Sequence, residues 1–243
     1  MAGHSKWSNI KHRKGAQDAK RAKIFYKISR EIMVAASRGI DVSANSALRL
    51  ALAKARANSM PKKNIETAIN NATKKGEGAN YKEVMYGGNV SGISFLIIYL
   101  SDNINRVTSS IQSYFNRVNG SVSSASSVSY IFELKGILKF AKQAKDNDDE
   151  KMLLSLEAGA EDFEVDNDSY FVYTNPNKFN HVKETLEANG INAFSIAEIS
   201  YIPNQEVKLP IEKATKIVDF IDKLEDDDEI HAVFHNLDAS SLE

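Results

Sequence analysis

GILKFAKQAKDNDDEKMLLSLEAGAEDFEVDNDSYFVYTNPNKFNHVKETLEANGINAFSIAEISY, residues 136–201, switches repeatedly between the strand and helix periods, and its order decides the fold. Ile137–Ala141 is a short apolar run of strand length. A helix follows from Asp148 to about Ala158, opened by acids that suit the positive end of a helix dipole. Glu161–Val165 and Tyr170–Tyr173 read as strands. Phe179, Val182 and Leu186 recur at helical spacing, and Phe194–Tyr201 returns to a strand. The order is βαββαβ, which predicts a ferredoxin-like split βαβ sandwich, with two helices on one face of an antiparallel sheet.

The flanks are incomplete by themselves. Upstream, Gly92–Leu100 is a nearly continuous apolar run, as expected of a strand buried on both faces. The helix after it carries Ile104, Val107, Ile111 and Phe115 as an inner stripe, Asn119-Gly120 stops it, and Ser127–Phe132 reads as a returning strand. Downstream come a strand at Glu206–Leu209, a helix bearing Ile211, Ala214, Ile217, Val218, Ile221 and Leu224, and a strand at Ile230–Phe234. Joined, residues 79–134 and 205–243 make a second α/β sandwich of similar layout, with residues 135–204 inserted between its halves.

Residues 1–78 read as a third, helical domain. From Ala16 to Arg38, Phe25, Ile28, Ile32 and Ala35 form an apolar stripe, and Gly39 follows as a stop. Lys20, Lys23, Lys27 and Arg30 share that rhythm about 140° around the helix, so one face is expected to pack and the other to bind. A second helix, capped by Asp41 or Ser43, turns Leu48, Leu52 and Ala55 inward and leaves Arg49, Lys54 and Arg56 on its surface. A third starts near Pro61, carries Ile65, Ala68, Ile69 and Ala72, and ends at Lys74-Lys75-Gly76. Gly76–Asn80 is the linker out. The expected class is α+β and multi-domain: a basic three-helix domain, then two ferredoxin-like α/β sandwiches, the last inserted into the middle one.

Charge separates the parts. The chain of 243 residues has a net charge of -1, yet residues 1–78 carry +12 and residues 79–243 carry -13. Such asymmetry points to a polyanion-binding region joined to an acidic body. GHSKWSNIKHRKGAQDAKRAK, residues 3–23, holds seven Lys and Arg, two His and the single Trp against one acid. Lys and Arg neutralise phosphates by releasing counterions, and Trp7, His4 and His12 have the ring chemistry that stacks on unpaired bases. The candidate contacts are His4, Lys6, Trp7, Lys11, His12, Arg13, Lys14, Lys20, Arg21, Lys23, Lys27, Arg30, Arg49, Lys54 and Arg56. Three alternatives compete: a solvated helix face, a targeting peptide, and for Trp7 a role in covering the helical core. Lys predominates over Arg in this stretch and the basic face runs on into a capped helix, which argues against a targeting peptide.

Other chemistry falls away on geometry. The chain has no cysteine, so it can form no disulfide or thiolate site, which suits a reducing, cytoplasmic setting. No apolar run is long enough to span a membrane. Gly87–Gly92 has the glycine spacing of a phosphate loop but leads into a strand and lacks the following Lys-Ser/Thr, so a hairpin turn explains it better. His231 and His235 lie in a predicted strand, about 13 Å apart, too far to share one metal ion. Asp226-Asp227-Asp228-Glu229 reads as a solvated turn or as a surface that repels nucleic acid and orients the basic domain. No nucleophile–base pair and no cofactor fingerprint is present, so neither enzyme activity, a cofactor, a metal nor a small-molecule substrate is expected.

Ala2-Gly3-His4-Ser5-Lys6-Trp7, Ile10-Lys11, Asp18-Ala19-Lys20-Arg21, Lys23-Ile24-Phe25, Arg30-Glu31-Ile32 and Asn58-Ser59-Met60-Pro61 resemble the YebC family, and the likeness extends over essentially the whole chain. The resemblance implies a probable DNA-binding transcriptional regulator without enzyme activity, built as a basic helical domain followed by two α/β domains. It also implies a translational alternative, since mitochondrial members activate translation of a cytochrome oxidase subunit and bacterial members are linked to the ribosome and to relief of stalls at proline-rich stretches. Two segments depart from the family pattern. Met85–Gly92 lacks the proline of a Gly-Pro-Gly, and Ser101–Arg106 has one arginine fewer, so nucleic-acid contact through these places is expected to be weaker.

The expected partner is therefore nucleic acid, either DNA or structured RNA such as ribosomal RNA, with the ribosome as a possible assembly and no membrane. Lys is a point-charge phosphate binder and base-facing Arg, Asn or Gln are few, which leans towards backbone and shape recognition. A protein-only adaptor and an enzyme acting on RNA are the remaining alternatives.

Overall fold

The computed structural model describes residues 17–73 and 82–242. In chain order the elements are α1 (Gln17–Ala36), α2 (Ser46–Ala57), α3 (Lys62–Thr73), β1 (Lys82–Val90), β2 (Ile93–Ser101), α4 (Ile104–Asn116), β3 (Ser121–Ser124), β4 (Phe132–Ala141), α5 (Asp148–Glu157), β5 (Asp162–Val165), β6 (Ser169–Thr174), α6 (Phe179–Ala188), β7 (Phe194–Pro203), α7 (Ile211–Glu225) and β8 (Ile230–His235). The strands form two four-stranded antiparallel sheets, ordered β3-β1-β2-β8 and β5-β6-β4-β7. This is the expected class, a helical segment followed by two α/β sandwiches with the second inserted into the first. Among the described residues, one compact unit is Ile131–Glu206, and the other joins those up to Tyr130 to those from Val207 onward.

In the larger unit the three helices close on one apolar cluster. Ile28, Ile32, Ala35 and Ala36 of α1 meet Leu48, Ala51, Leu52 and Ala55 of α2 and Ala68 and Ala72 of α3. The many alanines let the helix axes come close. Asn45 caps α2, in place of the expected Asp41 or Ser43. Its Oδ1 accepts from the Leu48 amide at 3.0 Å, while its Nδ2 donates to the carbonyls of Ala35 and Gly39, tying the end of α1 to the start of α2. Asp41 instead accepts from the amide and hydroxyl of Ser43 within the preceding turn, which lowers its pKa. The Pro61 carbonyl accepts from the amides of Asn64 and Ile65 to open α3. The expected stop at Lys74-Lys75-Gly76 and the linker at 76–80 lie outside the described residues.

Strand β2 is buried at every position, as the unbroken apolar run required. One of its faces, Ile93, Phe95, Ile97 and Tyr99, packs on Val107, Ile111 and Phe115 of α4 and on Ala214, Ile217, Phe220, Ile221 and Leu224 of α7. Phe95, Phe115 and Phe220 meet edge to face at 5.1–5.8 Å. Ile104 and Ile211, expected in these stripes, are the first residues of their helices and stand exposed beyond the sheet.

Three strand expectations are corrected. Gly87 and Gly88 lie inside β1, and the hairpin turn is Ser91-Gly92, both at positive φ (53° and 89°), as a two-residue connection between twisted strands demands. The returning strand is Ser121–Ser124 and not Ser127–Phe132. Serine carries no apolar period, and what holds β3 is its pairing with Tyr86–Asn89. Glu206–Leu209 reduces to one parallel bridge, Val207 to Leu237. The place beside β2 corresponding to that of β6 beside β4 is filled by β1, so the two sandwiches share a layout while their connections differ.

In the smaller unit β4 is central, paired with β6 and β7. Gly136 of β4 passes directly against Phe179 of α6, which places α6 on the face that also carries Leu138 and Phe140. The pairing of β4 with β7 runs from Phe132–Pro203 to Phe140–Phe194, and the Asn204 amide donates to the Ile131 carbonyl at 2.8 Å. The unit therefore begins and ends at neighbouring points.

Candidate nucleic-acid interface

The candidate cations distribute unevenly over the helical segment. His4, Lys6, Trp7, Lys11, His12, Arg13 and Lys14 lie outside the described residues. Lys20, Arg21 and Lys23 fall on the first turns of α1, where the backbone alone is described. Arg49 and Arg56 are exposed on α2.

Lys27 and Arg30 depart from the expected free face. The Lys27 ammonium donates to the Glu225 carbonyl at 3.0 Å, at the end of α7. Arg30 is 7% exposed. Its guanidinium donates to the carbonyls of Asp228 at 2.9 Å and Leu100 at 3.3 Å and to the hydroxyl of Tyr26, whose ring centroid lies 4.3 Å away. The periodicity correctly separates two faces of α1. Both faces pack in this part of the helix, the second against the sheet. Lys54 is likewise engaged, its ammonium 3.1 Å from Glu31.

The same contact buries a histidine. His231 of β8 places Nε2 3.7 Å from the Glu31 carboxylate, and its Nδ1 is buried without a partner. Burial pushes its pKa down to about 4, against the opposing pull of Glu31. His231 and His235 do lie on a strand. Among the described residues no group of three or more His, Cys, Asp or Glu could hold a metal ion, and no helix is long and apolar enough to cross a membrane.

The acidic run after α7 is more than a solvated turn. Glu229 accepts from Arg106, whose guanidinium also pairs with Asp102 at 3.1 Å, and from the Ser101 hydroxyl at 2.7 Å. The Arg106 guanidinium, ahead of Ser101, holds the Glu229 carboxyl below its usual range. Asp227 accepts from the Glu229 amide at 2.8 Å and from the Ser110 hydroxyl at 3.4 Å. Burial, reinforced by the Asp227 charge, raises the Tyr114 phenol. Asn103 caps α4 by accepting from the Arg106 amide. Ser101–Arg106 thus has defined work within the fold, holding the acidic corner to α4.

Composition alone does not single out three further cations. Arg38, Lys62 and Lys63 are exposed on the helical segment, the side chain of Lys62 at 91%. A signal was available, since Lys62-Lys63 directly follow Pro61 in the first turn of α3, a position that points to solvent.

Comparison with known proteins accounts for both parts of this arrangement. Residues 5–75 match the family model of the TACO1/YebC protein N-terminal domain, and residues 81–237 match that of the TACO1/YebC second and third domain. The chain belongs to the TACO1/YebC family. Its relatives include a "probable transcriptional regulatory protein" of Mesomycoplasma hyopneumoniae, 50% identical over 98% of this chain and 99% of that one. Another of the same description, from a Geobacillus species, is 47% identical over the full length of both. The crystal structure of a conserved hypothetical protein from Aquifex aeolicus superposes with a TM-score of 0.82 at 33% identity, covering 96% of this chain and 97% of that one. These two relatives carry the regulatory description in their names.

Proposed function

We propose that the chain is a non-enzymatic nucleic-acid-binding regulator of gene expression that grips backbone phosphate with its basic helical domain. The observation that carries this reading is the concentration of +12 charge in residues 1–78 of a chain whose net charge is -1. The grip comprises His4, Lys6, Trp7, Lys11, His12, Arg13, Lys14, Lys20, Arg21 and Lys23, joined by Arg49 and Arg56 and by Arg38, Lys62 and Lys63. Residues 1–78 form the binding domain, 79–134 with 205–243 the acidic body, and 135–204 the inserted domain. The protein works in the cytoplasm without a cofactor, a metal or a small-molecule substrate.

The names of the relatives support a transcriptional role and hence DNA. A second reading, a translation factor on ribosomal RNA, is favoured by the preponderance of lysine in residues 3–27, since lysine reads phosphate position and not base edges. In-cell ultraviolet crosslinking, sequencing DNA and RNA in parallel, distinguishes them. Reversing Lys20 and Lys23 to Glu is expected to abolish the crosslinks and flatten the salt dependence of binding in vitro. Promoter DNA lost in the variant supports the first reading, and a discrete ribosomal RNA site lost in the variant supports the second. Unchanged crosslinks in a folded variant remove this face from the mechanism.

A further inference from the structure

We infer that the corner formed by the end of α7 and the turn before β8 is an internal competitor for the basic helix, occupying in cis two cations that a nucleic-acid phosphate would otherwise engage. The inference rests on the proposed phosphate grip. Lys27 and Arg30 stand on the same face as Lys20 and Lys23, one and two helical turns further along α1. Both donate to carbonyl oxygens of this corner, Glu225 at 3.0 Å and Asp228 at 2.9 Å, the latter with Leu100 at 3.3 Å as a second acceptor for Arg30. Two or more oxygens converging on one guanidinium is also the chemistry of an arginine–phosphate contact.

The field of the corner favours the docked form. Glu225 ends α7, where the helix dipole is negative, and the acidic side chains of Glu225, Asp226 and Asp228 are exposed on this corner. With Arg30 at 7% exposure, an external phosphate reaches it only if α1 leaves the corner. A bound polyanion and the corner thus exclude one another, and the corner lowers apparent affinity by the fraction of molecules in which it is released.

The absence of cysteine makes the test clean, since two labels can be placed without background. Asn70→Cys on α3 and Lys216→Cys on α7, both at exposed positions, carry spin labels in the full chain, and their separation is read by pulsed electron resonance. Adding heparin, and separately a short RNA hairpin, is expected to lengthen the distance. The variant Glu225→Lys with Asp228→Lys is expected to show the longer distance without ligand. It should also bind the hairpin about tenfold more tightly than Glu157→Lys with Glu184→Lys, a charge-matched control in the smaller unit, as follows if about one molecule in ten is released in the parent chain.

Binding with an unchanged distance, or equal affinities for the two variants, overturns the competitor and leaves the phosphate grip standing. Failure of the parent chain to bind either polyanion sinks the grip itself, and the competitor with it.

Discussion

Gly88 is the tightest glycine in the sheet of the larger unit. A Cβ at that position would lie 2.3 and 2.4 Å from the Cε1 and Cζ of Phe115, which is itself held edge-on by Phe95 and Phe220. Gly88→Ala forces either the ring out of its packing or β1 away from the helix. A loss of about 1–3 kcal/mol is expected, as for overpacked cores, read as a lower urea midpoint that Phe115→Leu in the same chain partly restores. A midpoint equal to that of the parent would refute the packing argument. The glycine pair was visible in the sequence but its meaning was not, because a close approach and a turn demand the same residue, and only the ring beneath tells them apart. His231 gives a second residue-scale expectation. Its imidazole titrates near 6.5 when unfolded and near 4 when folded, so between these values the unfolded chain holds more protons and stability falls as the pH is lowered. The full loss is on the order of 3 kcal/mol. His231→Gln should remove that dependence, so denaturation curves of parent and variant are expected to converge as the pH falls from 6.5 towards 4.

At the scale of elements, Asn45 joins two helices with one side chain. Asn45→Ala loses the cap of α2 and both donations to the end of α1, and is expected to cost about 1–2 kcal/mol, measured by thermal unfolding. An effect below a few tenths of a kcal/mol would show that water replaces the cap without loss. Helices and buried strands were legible in the sequence because their apolar residues leave a mark: β2 is an almost unbroken apolar run, and the inner stripes of α1, α4 and α7 keep the helical period apart from Ile104 and Ile211 at the helix starts. Strand β3 was not, since four residues of Ser-Val-Ser-Ser are fixed by the backbone pairing of a neighbour and carry no pattern of their own. Arg30 shows a subtler limit. A helical wheel separates the faces of α1, yet it cannot say that the polar face also has a partner when that partner supplies backbone carbonyls, which no side-chain pattern announces.

At the scale of the molecule, the interruption of one domain by another was legible, since neither flank of residues 136–201 makes a sandwich alone. Pairing of β2 with β8, from Phe95–His235 to Tyr99–Ile230, ties the flanks together across the insertion. Cleavage near Ile131 and Glu206 should therefore leave the outer fragments co-eluting on native gel filtration, whereas their separation would mean that this pairing does not hold the body together. The smaller unit, whose ends meet at Ile131 and Asn204, should fold when expressed by itself, shown by a cooperative melting transition. The pairing of β2 with β8 also imposes a timetable on the newborn chain. While the inserted unit is being made and can already collapse, β2 still has an open edge, and Glu225 and Asp228, whose carbonyls receive Lys27 and Arg30, have not yet been synthesised. During that interval a buried strand and two cations of α1 stand uncovered beside the ribosome, and how long they do so is set by elongation and by the slow closure of a contact between distant parts of the chain.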